Sequence, residues 1–366
     1  MINDNTLAVV VPAYNEESQI GIVIETMPDY IDRIVIVDDN STDGTQAALA
    51  KYYNRSNNAS RPLSVKEAIE SSFHNEAEKV LERLNREEMA LFTPSTIIHE
   101  EPDHRIVVIR NEKNAGVGQT IARGYKWCKD HHIDCTAVMA GDAQMDPSEL
   151  YDICYPVVAE GVDYVKGNRL SHGSARVFIP KTRFFGNSVL SLMTKAASGY
   201  WRVSDTQTGY TAISNSALNS IKLYDIYPRY GMPNDMLVKL NIAGCTIREI
   251  PIKPVYRVGE NSKMRVHKVI PRISWLLFRS FIGRIWTKYF INDFHPLFIL
   301  YNLSLFLYLF CIPFAVRIVQ YLLARGIYGE KPVLNTLMFM FLFVSASQSL
   351  LFAMWMDIQD NDRLYK

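Results

Sequence analysis

The sequence predicts an α/β domain with a mostly parallel sheet, followed by amphipathic interfacial helices and a two-helix transmembrane hairpin. Three observations carry this. Short β-branched runs alternate with helical segments through the first 170 residues. A stretch without acids, basic and apolar by turns, follows from 261. Two long uncharged apolar runs close the chain. The expected units are an α/β domain over 1–260, interfacial helices over 261–294, a hairpin over 295–358 and a tail over 359–366.

The run "LAVVVPAYNEE" (7–17) reads as a strand buried on both faces, and 16–27 as a short helix. "DRIVIVDDNSTDGT" (32–45) is a second strand ending in acids, with Thr42, Asp43 and Gly44 opening the next helix. "HRIVVIRN" (104–111), "CTAVMAGD" (135–142) and "VDYVKGNR" (162–169) are three further strands, with helices over 117–130 and 147–159. An insert, 50–103, separates the second and third strands. Its middle (64–92) is rich in helix formers with Glu/Lys pairs at helical spacing, which predicts a solvated surface helix or hairpin.

From 261 to 292 there are seven bases and no acid: Lys263, Arg265, Lys268, Arg272, Arg279, Arg284 and Lys288. Interleaved apolar residues, among them Trp275, Phe278, Ile282 and Trp286, describe a helix lying in a membrane interface over anionic lipid. At about 100° per residue, Lys268, Arg272 and Arg279 share one face while Arg284 and Lys288 fall nearly opposite. A break near Gly283 into two helices is therefore expected. The segments 296–316 and 333–356 carry no formal charge and reach the ~20 residues that a bilayer core requires. The excess of bases before the hairpin, against Arg317, Arg325 and Lys331 in its loop, places the N-terminal domain and the tail in the cytoplasm.

A net charge of +1 with 21% charged residues excludes a disordered chain and a generally basic nucleic-acid binder. Five scattered cysteines without a CxxC pair argue against a zinc site or a disulfide framework and fit a reducing compartment. The N-terminus has no basic region of a signal peptide, so the sequon Asn58-Ala59-Ser60 reads as chance.

In an open parallel sheet, ligands sit at the carboxyl ends of the strands. Those ends carry Tyr14-Asn15-Glu16, Asp38-Asp39-Asn40, Asp142-Ala143-Gln144 and Lys166-Gly167-Asn168-Arg169. No GxGxxG follows the first strand and no GxxxxGK[ST] occurs, which disfavours dinucleotide and P-loop chemistry. Asp39 suits a base N–H or a ribose hydroxyl, Tyr14 suits stacking, and Asp142 suits a divalent metal bridging a diphosphate. Mg²⁺ typically takes one or two carboxylates and completes its shell with water and phosphate oxygens. Asp146 before Pro147 reads as a helix N-cap. Gly116 and Gly118 start a helix or admit a ligand to the backbone. His131 and His132 read as helix-end residues, and His267 and His295 as headgroup-level residues.

The motifs "VVPAYNEE", "VDDNSTDGT", "AGDAQMDP", "GNR", "DTQTGY" and "YRVGENSK", in this order, resemble family 2 glycosyltransferases of the GT-A (Rossmann-like) fold. Within it they are similar to the membrane-bound polyprenyl-phosphate sugar transferases, such as the dolichyl-phosphate mannose synthases. The resemblance covers roughly 7–50 and 104–290. It implies that Pro12, Tyr14, Glu16 and Asp39 contact the nucleoside, and that Asp142 and Gln144 stand at a Mg²⁺ or Mn²⁺ ion and the diphosphate. It also implies that Arg169 faces phosphates, that Arg183 meets the acceptor phosphate, and that Asp205 and Gln207 line the sugar pocket. Arg257 and Lys263 belong to a loop over the diphosphate. Ala140 departs from the family, which usually has the first acid of a DxD motif there.

The implied reaction is inverting transfer of one sugar from a UDP- or GDP-sugar to a polyprenyl phosphate at the cytoplasmic face. A phosphate acceptor is already a nucleophile at neutral pH, because its second pKa is about 6. A hydroxyl acceptor, as in glycolipid or polysaccharide synthesis, needs a base, for which Asp235 in "GMPNDMLVKL" is the candidate. Processive synthases carry QxxRW, which is absent from "RISWLL" and "GRIWTK". A third reading, an inactive membrane-anchored binding module, rests on Ala140. The sequence leaves the sugar, the base, the polyprenol and a possible homo-oligomer open, and predicts no nucleic-acid partner.

Overall fold

The computed structural model describes residues 4–53, 75–171, 173, 181–254, 266–323 and 333–366, without the side chains of 181–188 and 266–270. Eight strands form one sheet in the order β3-β4-β2-β1-β5-β7-β6-β8. They are β1 (Leu7–Ala13), β2 (Arg33–Asp38), β3 (Ser95–His99), β4 (Ile106–Asn111), β5 (Cys135–Val138), β6 (Tyr164–Asn168), β7 (Thr211–Ser214) and β8 (Ile247–Pro251). The block β4-β2-β1-β5 is parallel, as are β6 and β8. β3 and β7 run antiparallel to their neighbours.

Helices cover both faces. They are α1 (Ile20–Glu25), α2 (Thr45–Tyr53), α3 (Glu76–Glu87), α4 (Val117–Asp130), α5 (Leu150–Glu160), α6 (Lys181–Ser198), α7 (Asn215–Ser220) and α8 (Met232–Ile242). The continuous apolar runs follow from this layering, because each strand feeds two cores. Ala8 and Val10 of β1 join Trp127 and Leu237 on one face, while Leu7, Val9 and Val11 join Ile20 and Leu150 on the other. Burial of such side chains at ~25 cal/mol per Å² drives the assembly. Close approach also matters: the Gly118 N–H donates to the Pro228 carbonyl at 2.9 Å, and a Cβ on Gly118 would overlap the Tyr227 carbonyl oxygen.

Three strands are absent from the sequence reading. β7 and β8 are short, and β8 is only partly buried, so neither shows a clear period. β3 lies inside the insert and changes its meaning. Phe92 enters the core, Arg123 Nε donates to Ser95 Oγ at 2.8 Å, and Lys129 pairs with Glu88 at 3.1 Å. The far end of the insert is therefore a structural edge of the sheet, and α3 beside it is the solvated part.

The expected break near Gly283 does not occur. A single helix, α9 (Val266–Trp286), runs through Gly283 and continues as a π-helical turn over Thr287–Asn292. Two of the bases that forced the expectation point inward. Arg284 is wholly buried and pairs with Asp357 at 2.7 Å, and Lys288 reaches Asp360 at 3.3 Å. Arg272 and Arg279 stay exposed, and so do Trp275, Phe278, Ile282 and Trp286. Burying Arg284 and Lys288 against another helix removes the conflict between faces that a break would have solved.

Two apolar helices follow, α10 (Pro296–Leu323) and α11 (Val333–Asp362), each long and apolar enough to cross a membrane. They pack antiparallel: Leu297 lies in one cluster with Met356, Ser304 Oγ donates to the Ala346 carbonyl at 2.9 Å, and Tyr308 meets Ser347 at 2.8 Å. Most of their remaining apolar side chains are exposed, which is not the pattern of a core helix. The segment after α11 is tied down. The Ile247 N–H donates to the Leu364 carbonyl at 2.7 Å, and the Lys366 N–H donates to the Ile247 carbonyl at 3.0 Å. Residues 364–366 thus pair with the first residue of β8 on its free edge.

Gly118→Ala is expected to lower stability by about 1–3 kcal/mol through overpacking against Tyr227, read as a lower thermal midpoint of the purified protein. An unchanged midpoint would show that this approach is not tight.

Candidate active site

The carboxyl ends of β1, β2 and β5 each turn through a left-handed residue: Asn15 (φ 58°), Asn40 (φ 60°) and Ala143 (φ 56°). Asparagine tolerates this region, whereas alanine pays about 1–2 kcal/mol for it. Such strain concentrates where a loop must hold a set shape. At Ala143 that shape is a tight turn in which the Gln144 N–H donates to Asp142 Oδ1 at 3.1 Å. Asp142 and Gln144 are both half-buried there. The Gly141 N–H donates to the Pro12 carbonyl at 3.3 Å, and a Cβ on Gly141 would lie 3.5 Å from Glu16 Cγ. The structure thus brings Pro12, Glu16, Asp142 and Gln144 to one edge, with Tyr14 exposed beside them.

Asp39, expected at the nucleoside, also has partners within the protein. It is buried, and its carboxylate accepts from Asn111 Nδ2, the Ala115 N–H and the Gly116 N–H, each at 2.8 Å. An acid at the start of α4 also matches the positive end of the helix. Asp39 therefore shapes the 111–116 loop with both of its oxygens. Asp38 is similarly engaged, accepting from the Ser41 N–H at 3.0 Å and facing Arg110 at 3.6 Å. Arg110 is partly exposed at the end of β4 and donates to Asn40 Oδ1 at 3.4 Å. It is a cleft cation that sequence reasoning missed, although it directly follows a buried strand run.

Asp146 caps the helical turn after Pro147, accepting from the Ser148 N–H at 2.9 Å and from Lys253 Nζ at 3.0 Å. Burial pushes its carboxyl up, but these two donors outweigh it and hold it below the usual range. Among the described residues, no three His, Cys, Asp or Glu side chains cluster as a metal cage. The donor set at this turn is one carboxylate, Asp142, and one amide, Gln144, with Ala140 contributing only its N–H to Met145 Sδ.

A second polar cluster closes the other side. Arg169 forms a two-pronged pair with Asp205, Nε to Oδ2 at 2.8 Å and Nη2 to Oδ1 at 3.0 Å. Burial raises the Asp205 carboxyl, but Arg169 overrides this and leaves it below the usual range. Asp205 thus positions Arg169. Behind them, Glu249 accepts the Ser204 and Asp205 N–H groups at 2.9 Å and Asn168 Nδ2 at 2.9 Å, while burial pushes its carboxyl up. Lys166 is wholly buried and donates to the Thr208 carbonyl. Burial lowers its ammonium to about 8. Gln207 Nε2 donates to Asn234 Oδ1 at 2.9 Å, and Tyr210 Oη donates to the Asp146 carbonyl at 2.9 Å, which joins the two sides. Glu249 and Asn234 carried no sequence signal as site residues, because their partners come from distant elements.

Asp235 stands apart. Its Oδ2 accepts the Tyr227 N–H at 2.9 Å and Lys239 Nζ at 2.6 Å. Arg183 lies on α6 with its side chain outside the described residues, and Arg257 and Lys263 also lie outside them.

Lys166 supplies a pH test. Its folded pKa of about 8 lies below the ordinary lysine value, so between pH 8 and 10.5 the unfolded chain binds more protons than the folded one. Stability of the wild type relative to Lys166→Met should therefore rise across that window, as read by denaturant titration at pH 7 and pH 9.5. A difference that stays constant or shrinks would show that Lys166 keeps its ordinary affinity for protons. Separately, Asp205→Asn frees Arg169 and is expected to cut transfer by about tenfold or more while the fold persists. Activity close to wild type would remove the pair from any role in the site.

The family model "Glycosyl transferase family 2" matches residues 8–64 and 95–222. A UDP-N-acetylglucosamine–dolichyl-phosphate N-acetylglucosaminyltransferase of Methanococcus voltae is 26% identical over 254 residues, 69% of this chain and 87% of its own length. An uncharacterized protein of Methanocaldococcus jannaschii is 25% identical over 286 residues, 78% of this chain and 94% of its own. Among solved structures, glucosyl-3-phosphoglycerate synthase of Mycobacterium tuberculosis, in complex with Mn²⁺, UDP and phosphoglyceric acid, aligns with a TM-score of 0.47. Its identity is 16%, over 77% of this chain and 78% of its own. The strand-end motifs, the sheet that presents them and the matched family model agree: the chain belongs to glycosyl transferase family 2 and is a glycosyltransferase with a GT-A catalytic domain.

Proposed function

We propose that this glycosyltransferase moves a single sugar from a nucleotide-sugar to a polyprenyl phosphate at the cytoplasmic face of a membrane, inverting the anomeric carbon. One observation carries the reading. Helix α9 packs both on α6 and α8 of the catalytic domain and on the apolar hairpin, and it leaves Trp275, Phe278, Ile282 and Trp286 exposed. That exposed row suits the headgroup region of a bilayer. The Methanococcus voltae relative, named for a dolichyl-phosphate acceptor, supports the acceptor class, and its name makes UDP-N-acetylglucosamine the first donor to try. The antiparallel hairpin and the return of residues 364–366 to β8 support one side for both ends of the hairpin. The basic excess before it supports the cytoplasm.

The residues divide the work as follows. Tyr14, Pro12 and Glu16 meet the nucleoside, joined by Arg110 and Asn40, while Asp39 holds the adjoining loop in shape. Asp142 and Gln144 would hold a Mg²⁺ or Mn²⁺ ion, for which one carboxylate is enough. When bound, that ion offsets charge on the departing diphosphate. Arg169, fixed by Asp205, adds a preorganised cation beside the sugar pocket of Gln207. Arg183 is assigned to the acceptor phosphate, and Arg257 and Lys263 to the donor diphosphate. A phosphate acceptor needs no base, so this reading leaves Asp235, whose Oδ2 accepts from Lys239 and the Tyr227 N–H, in a structural role.

The test is transfer of radiolabel from UDP-N-acetylglucosamine, then from a panel of UDP- and GDP-sugars, into an organic-extractable, acid-labile lipid with and without divalent metal. Asp142→Asn should reduce metal-dependent transfer about 100-fold while the protein remains folded in the membrane. Activity within a few-fold of wild type would take Asp142 out of the metal role. Nucleotide binding without transfer from any donor would leave a binding module in place of the enzyme mechanism.

A further inference from the structure

The second apolar helix does not end in solvent. Its last turns enter the catalytic domain, where Asp357 and Arg284 have no exposed side-chain surface. The pair is two-pronged, Nη1 to Oδ1 at 2.7 Å and Nη2 to Oδ2 at 2.8 Å. The same guanidinium donates to the Ala197 carbonyl at 2.9 Å and the Ala196 carbonyl at 3.1 Å, so it caps the C-terminal end of α6. Tyr289 Oη donates to Asp357 Oδ1 at 2.8 Å. One turn further on, Asn361 Oδ1 accepts Asn241 Nδ2 at 2.7 Å and Lys288 Nζ at 2.5 Å, and Lys288 also donates to Asn241 Oδ1 at 3.1 Å. Asn241 lies at the C-terminal end of α8. The end of α11 therefore grips the C-terminal ends of α6 and α8 together.

Nearer the site, those two helices are fastened to each other and to the sugar pocket. Thr194 Oγ1 of α6 donates to Asn234 Oδ1 of α8 at 2.9 Å, and the same oxygen accepts Gln207 Nε2. Asn234 is wholly buried. The two helices that the hairpin grips, α6 and α8, are thus the ones that hold Gln207.

Anchoring alone does not call for this design. A buried ion pair carries a desolvation penalty, and apolar residues of similar volume often replace one with no loss of stability. What a two-pronged pair adds is direction. A lipid acceptor holds its phosphate at a depth set by the bilayer, and reaction needs approach of the reacting atoms to about 3–3.5 Å. A loosely tethered domain would sample many heights. We infer that Asp357 and Arg284 are positioning residues that fix the height and tilt of the active site over the membrane, so that the hairpin registers the enzyme on an embedded acceptor. This rests on the reading above that the hairpin spans the membrane and the acceptor is a lipid phosphate.

The test uses the full chain and Asp357→Asn, which keeps the shape and loses the charge. One assay presents a long polyprenyl phosphate in phosphatidylethanolamine–phosphatidylglycerol vesicles, and the other a short prenyl phosphate in detergent, where bilayer depth is irrelevant. The expected result is a fall of about tenfold or more in kcat/KM for the embedded acceptor, with the short acceptor within about twofold. UDP or GDP binding, for whichever base the wild type uses, should stay unchanged. Equal loss with both acceptors, or loss with neither, overturns the inference. The double variant Arg284→Met, Asp357→Leu covers the case in which Asp357→Asn unfolds. It should keep the thermal midpoint and still discriminate against the embedded acceptor, and full recovery of embedded transfer overturns the inference. If the wild type transfers to neither acceptor, the lipid-phosphate reading fails instead, and hydrogen exchange decides the clamp. Asp357→Asn should speed exchange at 196–198 and 239–242 but not in β1 or β2, and unchanged exchange overturns it.

Discussion

An ionised guanidinium sealed away from water must find an opposite charge and fill its donors, or the fold carries an uncompensated cost of several kcal/mol. Arg284 meets that requirement with one carboxylate and two helix-end carbonyls, and much of the architecture around it follows. α9 has to stay continuous through Gly283 to deliver Arg284 to α6. α11 has to run on past its apolar stretch to bring Asp357 to the same place. Once there, residues 364–366 pair with the first residue of β8. The hairpin and the catalytic domain are consequently one packed body, although composition divides them sharply.

The acids at the carboxyl edge of the sheet likewise brace the protein's own loops. Asp38, Asp39, Asp146, Asp205 and Glu249 all accept hydrogen bonds from the protein's own N–H or cationic groups. Each commitment holds a loop that the parallel topology leaves without a ladder partner. At this edge Tyr14 is exposed, Arg110 is partly exposed, and Asp142 and Gln144 are half-buried. A site built this way has its dipoles oriented before substrate arrives, which is the arrangement that stabilises developing charge most effectively.

Five strands were legible because burial on both faces leaves short, mostly apolar runs, and Asp146–Pro147 was legible because a cap is a local device. What escaped was whatever depends on a distant partner. β3 follows a surface helix and has an exposed face, β7 has four residues, and β8 alternates poorly. Helical periodicity describes the faces of one helix only. It placed Arg284 and Lys288 opposite the other bases correctly, yet it carries no information about Asp357, which arrives 73 residues later. Asp39 reads as a nucleoside contact from its place at a strand's carboxyl end and from the resemblance, whereas its hydrogen bonds to Ala115 and Gly116, 76 and 77 residues away, are not legible locally. Ala140 was legible as a departure, and the structure adds that the turn after it is organised around a single carboxylate.

The pairing of residues 364–366 with β8 also sets an order of events. A strand edge with unpaired N–H and C=O groups invites adventitious pairing with other chains. Here the cover for that edge lies beyond both apolar helices, so it is synthesised after them. During biosynthesis the catalytic sheet waits, one edge bare, until the hairpin has found its place. A chain whose apolar helices are displaced from the domain would therefore leave the Ile247 end of β8 unpaired.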